Sequence, residues 1–71
     1  MKKVYHVWGW DKTISGRWVE SFEGTFTSFL KAKEIAKREK VNYIDTVVSS
    51  YNLETHVHLD IWFSSVEEKK L

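Results

Sequence analysis

An α+β fold in the order β-β-α-β-β follows from three features of the sequence. Two aromatic and β-branched runs flank a polar, Gly-containing turn near the amino end, one segment of helical period fills the middle, and a cleanly alternating run lies near the carboxyl end. A single helix can cover only one face of a four-stranded sheet, so the prediction is a two-layer arrangement: a mainly antiparallel sheet with the helix packed on one side.

The first strand is read from Lys3 to Trp10, where Val4, Val7, Tyr5, Trp8 and Trp10 favour a pleated surface over a helix. Asp11 to Gly16 supplies turn chemistry, since Asp and Ser side chains bond nearby backbone and Gly accepts positive φ. The second strand runs from about Arg17 to Phe26. Period two puts Trp18, Phe22 and Phe26 on one face, and Gly24 marks a bulge or bend.

Thr27 or Ser28 caps the helix that follows, roughly Ser28 to Lys40, because a hydroxyl there can accept from the orphan N–H groups of the first turn. Phe29, Ala32, Ile35 and Ala36 form its apolar stripe, and Glu34 and Arg38 make an i,i+4 pair in the favourable order. A third strand is expected over Val41–Ser50 and a fourth over Thr55–Ser64. In the fourth, Val57, Leu59, Ile61 and Phe63 alternate with His56, His58, Asp60 and Trp62. The apolar set is assigned to the helix side. Two spatial orders satisfy this chain: 2-1-3-4, wholly antiparallel, or 2-1-4-3, with strands one and four parallel.

The chain has 71 residues, so residues 1–71 form one small domain, with the charged end over 67–71 expected to fray. It has no Cys, which removes disulfides and thiolate metal sites as sources of stability and leaves an apolar, aromatic core. Eleven Lys and Arg against ten Asp and Glu give a formal charge of +1, too little for whole-molecule steering toward nucleic acid or an anionic membrane. No run approaches the roughly 18 apolar residues of a membrane span, and a cytoplasmic location is the expectation.

Eleven aromatics in so short a chain exceed what one helix can cover. With Tyr5 and Val7 turned toward the helix, His6, Trp8 and Trp10 share the outer face of the sheet with His56, His58 and Trp62. These six form the candidate binding surface, while Phe22, Phe26, Phe29 and Phe63 are assigned to the helix-facing core. An exposed aromatic platform suits a protein partner or a second copy of the chain, because Trp and Tyr bury large area at little rotamer cost. Its imidazoles would make such an interface pH-sensitive. The competing structural reading is that the tryptophans cover one another across strands as part of the core.

Other chemistries have less support. His56 and His58 lie two apart on a strand, but with no Cys and no helix-borne pair the sequence predicts no metal and no cofactor. No nucleophile elbow, phosphate-cradling Gly-rich loop or paired-carboxylate pattern is present, and the chain is read as non-enzymatic. The alternative is nucleic-acid binding. Lys33, Lys37 and Lys40 fall within about 60° on one helix flank, Arg17 sits near the hairpin, and sheet aromatics could stack unpaired bases or a nucleotide.

The Gly16-Arg17-Trp18 strand start, Phe26-Thr27 and the Lys-rich helix together resemble the small sheet-plus-helix DNA-binding domains at the front of phage integrases. The chain departs from them by adding a hairpin after the helix, and the shared stretch contains no specific motif. A compact, Lys/Glu-rich, one-domain chain also resembles the small accessory proteins of phages and mobile elements, some of which inhibit host enzymes. That resemblance implies a protein target.

Overall fold

The computed structural model describes residues 2–69. Its elements are β1 (Lys3–Lys12), β2 (Trp18–Phe26), α1 (Phe29–Glu39), a turn of 3-10 helix (Lys40–Asn42), β3 (Asp45–Asn52), β4 (His58–Phe63) and α2 (Ser64–Lys69). The four strands form one sheet in the order β2-β1-β3-β4, with every neighbouring pair antiparallel. Of the two orders the sequence allowed, this is the wholly antiparallel one. α1 carries the chain from the far end of β2 back to the end where β3 starts, so β3 enters antiparallel to β1.

Ser28 caps α1, its Oγ accepting from the Lys31 N–H at 3.3 Å. The buried core is small: Val7, Ala32, Ala36 and Val48, flanked by Tyr5, Phe26, Ile35 and Trp62. Val7 pairs with Val48 and Val48 with Trp62, so these three stand in one row across the sheet under the helix. The two alanines have no bulk to hold the helix away, which lets it seat closely on the valines; burying each valine contributes about 1.5–3 kcal/mol.

At one end of this core the Tyr43 ring lies directly on Gly9, where an added Cβ would overlap it. The Tyr43 hydroxyl donates to Glu23 Oε2 at 2.7 Å, tying the segment before β3 to β2. This explains why β3 starts at Asp45 and not at Val41: Lys40–Asn42 turn once and Tyr43 is spent on closing the core.

Two phase changes correct the sequence reading. In β2, Val7 pairs with Gly24 and Trp8 with Phe22, leaving Glu23 as an extra residue; Gly24 has φ 153°, a conformation L side chains rarely adopt. The bulge that Gly24 signalled flips the alternation, so Phe26 faces the helix while Phe22 and Trp18 do not. In β4 the helix-facing set is Asp60 and Trp62, and Ile61 and Phe63 lie on the opposite side; Ser50 pairs with Asp60 and Tyr51 with His58, so Leu59 is an extra residue that returns His58 to the side of Ile61 and Phe63. Trp62 packs edge-on to Phe29 at 6.2 Å, and Phe63 packs on Trp10 at 5.5 Å. Alternation alone does not say which set goes inward. Alanines on the helix leave room beside it for an indole, and Trp62 takes that room.

β4 also begins later than expected. Asn52 Oδ1 accepts from the N–H groups of Glu54 and Thr55 at 2.8 and 3.0 Å, and His56 has φ 61°, so this segment is a loop.

α2 is an element the sequence reading did not contain. Ser64 and Ser65 bind Asp45 at the start of β3. Ser64 Oγ donates to Asp45 Oδ1 at 2.9 Å, and Ser65 reaches Oδ1 through its N–H at 3.1 Å and Oδ2 through its hydroxyl at 2.6 Å. Asp45 thereby caps α2. The fully buried Thr46 hydroxyl beside it donates to the Ala36 carbonyl at 2.7 Å and lies 2.9 Å from Ser64 Oγ, joining α2, β3 and α1. Of the end segment 67–71 expected to fray, residues 67–69 lie in the backbone of α2, and residues 70 and 71 lie outside the described residues.

Burial pushes the Asp45 carboxyl up, but the hydrogen bonds from Ser65, Ser64 and Thr46 outweigh it and hold its pKa below the ordinary 3.8. A depressed carboxyl pKa contributes stability that is present above 3.8 and is lost as pH falls through the folded value. Asp45→Asn should therefore cost about 1 kcal/mol at neutral pH, with the gap from wild type narrowing once pH falls below about 4, read as urea midpoints across a pH series. Gly9→Ala should cost about 2 kcal/mol by overpacking against Tyr43. In a Tyr43→Ala background the same change should cost clearly less, which a double-mutant cycle of urea unfolding measures.

Candidate functional site

The face of the sheet away from α1 carries rings on all four strands. β1 contributes His6, Trp8 and Trp10 at period two; β2, past its bulge, contributes Trp18 and Phe22; β3 contributes Tyr51; β4 contributes His58 and Phe63. They pack in two contiguous groups. Trp8 meets Phe22 at 5.1 Å, Phe22 meets His6 at 5.6 Å, His6 meets Tyr51 at 5.0 Å and Tyr51 meets His58 at 5.2 Å. In the second group Trp18, Trp10 and Phe63 are in sequence at 6.2 and 5.5 Å, and Lys12 Nζ lies 5.2 Å from the Trp18 ring. Offset and edge contacts of this kind are the favoured ring geometries.

Side-chain hydrogen bonds orient two members. The Trp10 indole N–H donates to Glu20 Oε2 at 2.9 Å, and His6 Nδ1 lies 2.9 Å from Thr25 Oγ1. These bonds run along the β1–β2 ladder and fix the rings without covering them. Trp18, Phe22 and Ile61 remain about half exposed, at 54%, 53% and 48%.

Of the six residues placed on this surface from sequence, His6, Trp8, Trp10 and His58 lie on it. Trp62 does not: it is on the helix side, half-buried beside the core. His56 is in the β3–β4 loop in the left-handed conformation, off the strand. Sequence reasoning missed Trp18, Phe22, Tyr51 and Phe63. Gly24 was the available signal for the first two, since a bulge there reverses the face of every residue before it.

The cations proposed for nucleic-acid contact are distributed differently. Lys33 and Lys37 are on α1 and Lys40 on the turn after it, the layer opposite the ring-bearing face; Lys33 Nζ lies 5.7 Å from the Trp62 ring. Arg17 is exposed in the β1–β2 turn, its N–H held by Thr13 Oγ1 at 3.1 Å. The ring-bearing open face and the lysine flank thus stand on opposite sides of the sheet, while Tyr5 and Trp62 share the helix side with the lysines. Among the described residues, no group of three or more His, Asp or Glu is close enough to hold a metal ion, and no helix is long and apolar enough to cross a membrane.

No family model matches this chain, and no curated protein or solved structure matches it significantly. Its functional reading therefore rests on its own geometry.

The two sides of the sheet predict opposite behaviour for two tryptophans. Trp62→Ala should lower stability by about 2–3 kcal/mol, because it removes a ring packed on Phe29 and the core. Trp18→Ala, on the exposed face, should lower it by less than about 1 kcal/mol, both read by urea unfolding.

Proposed function

We propose that this chain is a non-enzymatic binding module whose open sheet face docks on protein, with a second copy of itself as the partner. The observation that carries the reading is the ring-packed open face, on which Trp18 and Phe22 are about half exposed while Trp8, Trp10, Tyr51 and Phe63 are half-buried against their neighbours. Surfaces of this kind cost free energy in water and mark association sites when they are contiguous.

Two arguments favour a second copy. A two-fold interface must be self-complementary, and the rim of this face carries both signs, with Lys12 and Glu20 on adjacent strands able to pair across a two-fold axis. Four strands spaced about 4.8 Å apart over about eight residues project roughly 500 Å², and side-chain relief raises the accessible area toward the about 800 Å² per partner of a standard interface. Face-to-face packing of two such sheets at about 10 Å would interdigitate the rings. The nucleic-acid alternative has weaker support, because the rings of the open face and the lysine flank cannot serve one strand from opposite sides of a sheet.

Sedimentation equilibrium from micromolar to millimolar protein checks this reading. The wild type should show a concentration-dependent rise to dimer mass, and Phe22→Glu and Trp18→Ala should stay monomeric with native circular dichroism. A wild type that stays monomeric throughout removes the self-association reading.

A further inference from the structure

On the helix side of the sheet, away from the ring-bearing face, a groove of about 320 Å³ lies between the start of α1 and the strands β1, β3 and β4. Tyr5, Phe29 and Trp62 wall it, with Tyr5 and Phe29 at 5.7 Å and Phe29 and Trp62 at 6.2 Å. Its floor includes the buried Ser50, whose hydroxyl is occupied by the Asp60 backbone N–H at 3.1 Å. Lys3 and Asp60 also line it, and neither side-chain charge has a partner among the described residues. A mostly apolar cleft with a few convergent polar groups is the usual form of a small-molecule site.

The positions of the two charges select the ligand class. Tyr5 pairs with Ser50 and Ser50 with Asp60, while Lys3 lies one step further along β1. Two strand spacings across and two residues along put the Lys3 and Asp60 backbones about 12 Å apart. A free α-amino acid, with both its charges around one carbon, engages both only if Lys3 folds toward Asp60, whereas a longer ligand spans them with Lys3 extended. The groove instead suits an elongated molecule with an anion at one end, a flat ring in the middle and an N–H donor at the other.

We propose that this groove binds a free nucleotide with an exocyclic amine on its base. The base stacks among Trp62, Phe29 and Tyr5, its amine donates to the Asp60 carboxylate, and the phosphate meets the Lys3 ammonium. Aromatic stacking accepts any base, and the carboxylate selects those that can donate. The site shares no ring with the open face, so it is independent of self-association.

The test is a titration of the full chain with AMP followed by 1H–15N NMR, with adenosine, purine riboside 5′-monophosphate and a short oligo(dA) as comparisons. AMP should give saturable shifts at Ser50, Asp60 and Trp62. Lys3→Glu and Asp60→Lys, which remove no hydrogen bond of the fold, should each weaken AMP about tenfold. Adenosine, lacking phosphate, and purine riboside 5′-monophosphate, whose base has no N–H donor, should both bind more weakly to the wild type, and Lys3→Glu should leave adenosine unchanged. Any one of four results overturns the proposal: no saturable AMP shifts, shifts confined to the Trp8–Phe22 face, equal affinity for AMP, adenosine and purine riboside 5′-monophosphate, or a response to oligo(dA) with AMP silent.

Discussion

The close seating of α1 on the sheet governs this molecule. Ala32 and Ala36 bring the helix backbone down onto the Val7–Val48 row, and no bulkier pair of residues could sit there without lifting the helix and opening the core. Everything large that belongs to the helix side is displaced to its margins: Tyr5, Phe26 and Trp62 beside it, and Tyr43 over Gly9 at its far end. The core that results is narrow. One helix of eleven residues shields one face of the sheet, and the remaining rings gather on the other.

That geometry also explains how the short α2 is held. Its first two serines do not depend on apolar burial; they are secured by the Asp45 carboxylate and, through Ser64 and Thr46, by the Ala36 carbonyl of α1. The same hydroxyl network closes the core at the end where β3 begins and β4 ends. Polar anchoring replaces apolar area that so small a chain cannot supply.

Local chemistry made the layer architecture legible: turn residues at 11–16, a capped helix with an alanine stripe, and alternation in the strands. Which face each strand presents was legible only in part. In β1, alternation separates Tyr5 and Val7 from His6, Trp8 and Trp10, and it is the Tyr5 and Val7 set that meets the helix, as expected. In β2 a single bulge residue, Glu23, reverses the pattern; Gly24 signals that a bulge is near, but which residue is left unpaired depends on the pairing with β1. In β4 the more apolar alternating set was placed inward, yet the indole of Trp62 fits the space beside the alanines better than Ile61 or Phe63 would. α2 and the loop at His56 were missed because their determinants, Asp45 for the one and Asn52 for the other, act across space or through side-chain turns.

The division of rings between a shielded and an open face is what both functional readings stand on, one on each side of the sheet. It is tested most directly by nuclear Overhauser contacts from the Ala32 and Ala36 methyl groups. The account predicts cross-peaks that place them on the Val7, Val48 and Trp62 row, and none to Trp8, Trp10 or Phe63. Cross-peaks from those methyls to Phe63 or Ile61, with Trp62 silent, would contradict it.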